Sequence, residues 1–312
     1  MSVNIPVAFV NSFRSNVFHL AQQKGSRLVP LCRVETQNAE KDFYDYLGAE
    51  TAKDKTGRHS DVEYSDVVHG RRACFISDKY HASLVDKEDK LRMIYDPENE
   101  YAVAARNALG RAMDDVIIAA ALGTSYSGKE GTVPVVLPTS QKVAAFDGTT
   151  TTGVGLNVKT LRAVKKKFNQ NEVDGEISAI VSSEEIDSML GQTEVTSSDY
   201  NSVKALVDGM VDSFMSFRFT RSERLLRSAT NVTYTVTNGV VGAGTGTIQA
   251  IKSRRCIFFE KSGLIFARAA EAMGRIDEIA HKHYAKQVYS SMTVGATRLE
   301  ETRVVEVITS EP

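Results

Sequence analysis

No apolar run in this 312-residue chain approaches the roughly 18 residues that a membrane helix needs, and the opening MSVNIPVAFVNSF has no basic stretch leading into an apolar segment. Neither a bilayer span nor a secretion signal is expected. Cysteine is sparse: Cys32, Cys74 and Cys256 are far apart, odd in number and never in a C-x-x-C pair. That argues against a disulfide framework and a zinc site, and fits synthesis in a reducing cytoplasm. Charge of one sign does not accumulate either, since 38 Lys plus Arg stand against 39 Asp plus Glu, so bulk charge does not tie the chain to nucleic acid. There is no Gly-x-Ser-x-Gly elbow and no repeat of fixed period. What is present is globular composition, 42% hydrophobic and 25% charged, enough to bury one large core or two smaller ones.

Residues 1 to about 40 lack sustained periodicity, apart from a short helix expected over Val17 to Gln23, and read as an arm that packs on something else. From about Lys41 to Ser77, DFYDYL and VEYSDVV carry aromatic and β-branched residues on either side of the polar AKDKTGRHSD. This is the pattern of a long two-stranded excursion with a charged tip. Asp96-Pro97 then marks a helix start, with Asp as cap and Pro at the first helical position, and Gly123 marks its end. Tyr101, Ala105, Leu109, Ala112, Val116 and Ala120 form its expected apolar face. Such a helix is on the order of 39 Å long.

The Gly-, Thr- and Ser-rich stretch 123–155 reads as a connection between two lobes. An α/β alternation follows: a helix capped by Asn157, the buried-looking strand EISAIVSS, and a short helix opened by Ser183. SFMSFRF, NVTYTVT and CIFFEKSGLIFAR are β-rich, the last read as a hairpin about Lys-Ser-Gly, and KQVYSSMTV and TRVVEVIT are two closing strands.

Several patterns look like chemistry and are weaker than they look. Gly123 to Lys129 matches the glycine and lysine spacing of a phosphate-binding loop, but Glu130 stands where magnesium needs Ser or Thr, and the stretch follows a helix instead of a strand. A flexible loop is the better reading. Gly242, Gly244 and Gly246 lie between strand-like runs with no helix after them, so a β-turn is preferred to a dinucleotide loop. His281 and His283 have no third ligand nearby. Asp86, Glu88 and Asp89 read as a solvated turn. Arg162 with Lys165, Lys166 and Lys167 makes a basic helical face that could contact phosphates without reading sequence. No catalytic, metal or cofactor-binding residue is assigned.

The motifs L-V-D-x-x-D at Leu84 to Asp89, Asp96-Pro97, and A-L-x-R-x-x-D-x-x-I-I at Ala108 to Ile118 occur in this order. In this the chain resembles the major capsid proteins of tailed bacteriophages, over about 50 residues closely. The resemblance implies the α+β Hong Kong 97-like fold. Its parts would be an N-terminal arm (1–40), an extended β-hairpin loop (41–80) and a peripheral domain (81–154) with a spine helix over 97–122. An α/β axial domain (155–280) and C-terminal strands returning to the peripheral domain (281–312) would follow. It also implies a non-enzymatic shell subunit whose partners are identical copies in hexamers and pentamers, with packaged DNA touched non-specifically and no membrane. Scaffolding, portal and decoration proteins are further candidate partners. No long charged coiled coil of a fused scaffold precedes the motifs, and no isopeptide pair stands out.

On that reading Phe43, Tyr44, Tyr46 and Tyr64 are expected to pack partly on a neighbouring subunit, with Lys53, Lys55 and Arg58 in charged contacts at the tip, because an isolated hairpin is marginal in water. Readings from other classes are a nucleotide-binding enzyme using Lys129 and a nucleic-acid-binding module using Arg162 and Lys165 to Lys167.

Overall fold

The computed structural model describes residues 22–59, 61–86, 97–145, 153–192, 213–228, 232–237, 240–241, 246–250 and 252–311. The expected helix at 17–23, the cap Asp96, Glu88 and Asp89 of the acidic turn, and Gly242 and Gly244 fall wholly or mostly outside these. In chain order the first elements are β1 (Arg33–Thr36), β2 (Lys41–Leu47), β3 (His69–Val85), α1 (Pro97–Leu122), β4 (Ser125–Ser127), β5 (Val133–Val135) and β6 (Lys142–Ala144). There follow α2 (Val158–Gln170), β7 (Ile177–Val181), α3 (Ser183–Leu190), β8 (Ser213–Phe214) and β9 (Phe217–Arg221). The last are β10 (Val232–Thr237), β11 (Val240–Val241), β12 (Gly246–Ala250), β13 (Ser253–Glu260), β14 (Leu264–Ile279), β15 (Ala285–Arg298) and β16 (Val304–Ser310).

The strands form two sheets. A seven-stranded one runs β1-β14-β15-β3-β4-β5 with β2 also on β3, and a nine-stranded one runs β12-β10-β11-β6-β16-β13-β7-β9-β8. The chain divides into two compact units, the smaller containing 22–26, 78–86, 97–112 and 270–293 among the described residues, the larger the rest.

The core of the larger unit sits on the nine-stranded sheet. All five residues of β7 are buried, as expected of a strand covered on both faces. Ile257, Phe258 and Phe259 of β13 and Val304, Val305 and Val307 of β16 are fully enclosed. Leu161, Val164 and Phe168 make the buried face of α2, and Phe217 meets Phe258 edge to face at 5.3 Å. Asn157 caps α2 as its sequence predicts, its side chain accepting the Thr160 N–H at 2.7 Å.

Helix α1 spans the expected range, but its buried stripe differs toward the C-terminal end. Asp114, Ile117, Ile118 and Ala121 are buried there, while Ala112, Val116 and Ala120 are only half-buried. The reason is polar: the Asp114 carboxylate accepts the backbone N–H groups of Arg27 and Leu28, both at 3.2 Å. Leu28 and Cys32 are buried, and β1 pairs in parallel with β14. Residues 27–36 are therefore fixed in the larger unit and are not free arm.

The C-terminus of α1 is closed by Arg298, a fully buried side chain. Its guanidinium donates to the carbonyls of Ala121 (2.9 Å), Gly123 (3.0 Å) and Val135 (3.1 Å). A cation with a planar set of donors suits the unpaired carbonyls and negative pole of a helix end. Glu301 stands 3.5 Å from Arg298 and accepts Arg72 at 2.6 Å, so two buried cations share one carboxylate. Burial pulls the Arg298 guanidinium below its usual value, against the attraction of Glu301.

One strand reading needs correction. CIFFEKSGLIFAR is not a hairpin: β13 pairs with β16 and β7, whereas β14 pairs with β1 and β15 in the other sheet. Lys261–Gly263 forms a 3-10 turn, held by the Glu260 carboxylate accepting the Ser262 N–H, that carries the chain from one sheet to the other. The two closing strands also part, β15 to the seven-stranded sheet and β16 to the centre of the nine-stranded one, where six of its seven residues are buried.

Candidate assembly surfaces

Strands β2 and β3 pair antiparallel from Lys41↔Phe75 to Leu47↔His69. Beyond Leu47 the pairing stops at one further bond, Gly48 N–H to Val68 carbonyl at 2.8 Å. VEYSDVV, expected to be the second strand, is not one; strand pairing begins at His69. Its β-branched residues have β propensity, but among the described residues no strand pairs with them.

The seven predicted contact residues separate into two groups. Phe43, Tyr44 and Tyr46 are half-buried on β2. The Arg71 guanidinium lies 5.1 Å from the Phe43 ring and that of Arg72 5.8 Å from the Tyr46 ring. Burial raises the Tyr44 phenol to about 12, with Cys74 and Asp42 adding to the shift. These aromatics use much of their surface inside the chain. Lys53, Lys55, Arg58 and Tyr64 instead lie on the exposed stretch 48–68. Lys53 reaches Glu63 (3.2 Å) and the Tyr64 carbonyl (3.3 Å), and residues 51–56, 61–63 and Ser65 frame a groove of about 590 Å³.

That stretch carries large apolar side chains in water: Tyr64 is 90% exposed, Val62 74%, Val68 71% and the adjoining Leu47 65%. Single exposed apolar residues are ordinary; here several fall on one extended excursion. The smaller unit has a second such region, where Tyr80, Leu84, Met273, Ile276 and Tyr284 are exposed. Tyr80 stacks on Tyr289 at 6.2 Å, and the Thr293 hydroxyl donates to Asp78 at 2.6 Å. His281 lies in the 3-10 turn Ala280–Lys282, and His283 follows it with φ 52°. Both are exposed, and among the described residues no group of three metal-ligating side chains occurs.

The phosphate-loop spacing is a β-hairpin. Ser125–Ser127 is β4, paired with β5 from Ser125↔Val135 to Ser127↔Val133. Gly131 has φ +62°, and a Cβ there would stand 2.6 Å from the Ala73 side chain, so the glycines serve a tight turn against β3. Lys129 and Glu130 are exposed at its end. The basic face, by contrast, exists: Arg162 and Lys166 are exposed on α2, and Lys165 and Lys167 half-exposed.

A buried polar cluster at the end of β16 has no signature in residue spacing. Glu311, nearly inaccessible, pairs with Arg254 at 2.6 Å and accepts the Ser182 hydroxyl at 3.0 Å. Nearby Glu185 is buried and accepts the Leu156 N–H. Desolvation raises its carboxyl to about 7, opposed by hydrogen bonds from Thr309 and Leu156 and by Arg254, and reinforced by Glu311. The three cysteines are buried thiols; burial lifts Cys32 and Cys74 to about 12 and Cys256 well above its ordinary value. Among the described residues no helix is long and apolar enough to cross a membrane.

The sequence profile of the phage capsid protein family matches residues 5–311. No curated protein matches the chain significantly. Among solved structures, the capsid of cyanophage P-SCSP1u is 16% identical with a TM-score of 0.74, over 100% of this chain and 96% of that one. The capsid of Ralstonia phage GP4 is 9% identical with a TM-score of 0.70, over 100% and 98%. The capsid of cyanophage Pam1 is 13% identical with a TM-score of 0.70, over 99% and 98%. At these identities the likeness is one of fold, the mixed α+β Hong Kong 97-like fold.

Proposed function

The chain belongs to the phage capsid protein family, and from that premise we propose that its copies close the head shell by lapping the 48–68 excursion over their neighbours. It is the major capsid protein of a tailed-phage head shell, a structural subunit of the virion and not an enzyme. In the proposed reading 41–80 is the extended loop, α1 the spine helix of the peripheral domain and 155–280 the axial domain. Hexamers and pentamers build an icosahedral shell around double-stranded DNA, with scaffolding, portal and decoration proteins as further partners.

The observation that supports this is the uneven burial of one chain. A subunit with a dense core leaves Val62, Tyr64 and Val68 in water on a stretch with no sheet partner among the described residues, and Leu47 exposed at its base. Covering each aliphatic side chain would contribute about 1.5–3 kcal/mol. Lys53, Lys55, Arg58 and Tyr64 are the residues of that stretch proposed to touch a neighbour; Phe43, Tyr44 and Tyr46 contribute the part of their rings left open on β2. Many modest contacts suit a shell, since a single tight patch would trap misassembled forms.

Deletion of residues 50–60, followed by electron microscopy of particles from the purified chain, tests the reading. The expected result is loss of closed shells from a chain that still folds; normal and stable shells would refute it.

A further inference from the structure

We propose that the outer face of α2 is a binding site for the phosphate backbone of duplex nucleic acid, built from Arg162, Lys165, Lys166, Asn169 and Gln170. Along its whole length, VKTLRAVKKKFNQ, the helix has five cations and no carboxylate, in a chain whose formal net charge is −1. Like charges three and four apart on a helix destabilise it, and the first turn lacks the acidic residues that its positive pole favours. Among the described residues, Arg162, Lys165 and Lys166 form no ion pair that would offset this. A polyanion would.

The five residues lie at the 3.6-residue spacing that places them on one side, opposite buried Leu161, Val164 and Phe168. With Met215, from the turn between β8 and β9, they line an open cavity of about 380 Å³. Lys165 extends over the Phe217 ring, its ammonium 5.9 Å from the centroid, while the side chain stays half-exposed and lines the cavity. Glu172 and Asp174, just beyond the helix, do not line the cavity. Guanidinium, ammonium and amide donors are the groups that contact phosphate oxygens. Met215 is the lone apolar side chain in the lining, so the anchors on which a protein interface is built are scarce. No aromatic side chain lines the cavity to stack on bases, which makes the contact blind to sequence. The proposal rests on the shell-subunit reading for the source of the polyanion, the packaged genome.

The test is binding of a duplex of roughly 30 base pairs by the full-length chain over a series of salt concentrations, with electron microscopy of particles from the same preparations. R162Q/K165Q/K166Q should lower the slope of log affinity against log salt by about 2–3, near 0.9 for each lost phosphate contact. Closed shells should still form. The exposed single variant K166E should lower affinity by about tenfold or more at low salt, and serves if the triple variant folds poorly. An unchanged slope and affinity would overturn the proposal. So would loss of shells with DNA binding intact, because that result assigns the face to an acidic patch on a second copy. Loss of shells on deleting 50–60 bears on the assembly reading alone, so the two can fail separately.

Discussion

Strand β7 and the stretch 48–68 are parts of one compact unit with opposite relations to water. In ISAIV every residue is buried, with neighbouring strands on both edges; in 48–68 nearly every described residue is exposed, and an interstrand backbone bond closes its base, Gly48 N–H to the Val68 carbonyl. Both contain β-branched and apolar residues, which in 48–68 stand among eight charged ones and in ISAIV among none. The two also differ in what each is next to: β7 completes its burial inside the chain, whereas on the proposed reading 48–68 completes it on a neighbouring copy. Substitutions in the first should therefore register as lost stability of the subunit, and substitutions in the second as lost assembly.

The largest effect is expected from Phe258→Ala. It empties a fully buried site beside Phe217 and should cost about 3–5 kcal/mol, read by urea unfolding of the unassembled chain. A cost under about 1 kcal/mol would mean that the nine-stranded sheet is not the subunit's core.

Next comes Glu185. Its folded value near 7 lies above the ordinary 4.5, so the group's contribution to stability is full below about pH 4.5 and is lost as pH rises through 7. The Glu185→Gln variant, which resembles the protonated form, should be more stable than the parent above pH 7 by up to about 3 kcal/mol. That gain should vanish toward pH 4.5. Thermal unfolding at pH 5 and pH 8 checks it, and a gain independent of pH would contradict the assignment.

Smallest for the subunit, and most telling for the comparison, is the triple variant Val62→Ser, Tyr64→Ser, Val68→Ser. Exposed substitutions of this kind shift stability by no more than about 0.5 kcal/mol each, yet shells should become rare in electron micrographs. Equal stability together with equal shell yield would remove the distinction between the two regions.

Local signals in the sequence carry the elements that local physics decides. Pro97 and Gly123 bound α1, Asn157 caps α2, and the continuous apolar run of β7 announces a doubly covered strand. The failures share one cause, partners distant in sequence. Phe258 and Leu264 look like two arms of a hairpin until β16 and β1 claim them for different sheets. VEYSDVV has strand propensity without a strand to pair with. Asp114 and Arg298 interrupt apolar patterns because they satisfy backbone groups brought by residues 27–28 and 121–135, which spacing along the chain does not reveal. Of the candidate surface, the charged tip and the basic helix were legible as residue types. That Phe43 and Tyr46 would meet Arg71 and Arg72 across the β2–β3 ladder was not.

Hydrogen exchange over residues 48–68, compared between unassembled chain and closed shells, addresses the division most directly. Amides of 48–68 should exchange at nearly unprotected rates in the free chain and become protected in shells, while those of β7 stay protected in both. Protection of 48–68 already present in the free chain, or its absence in intact shells, would contradict the claim that this stretch finds its partner in a neighbouring subunit.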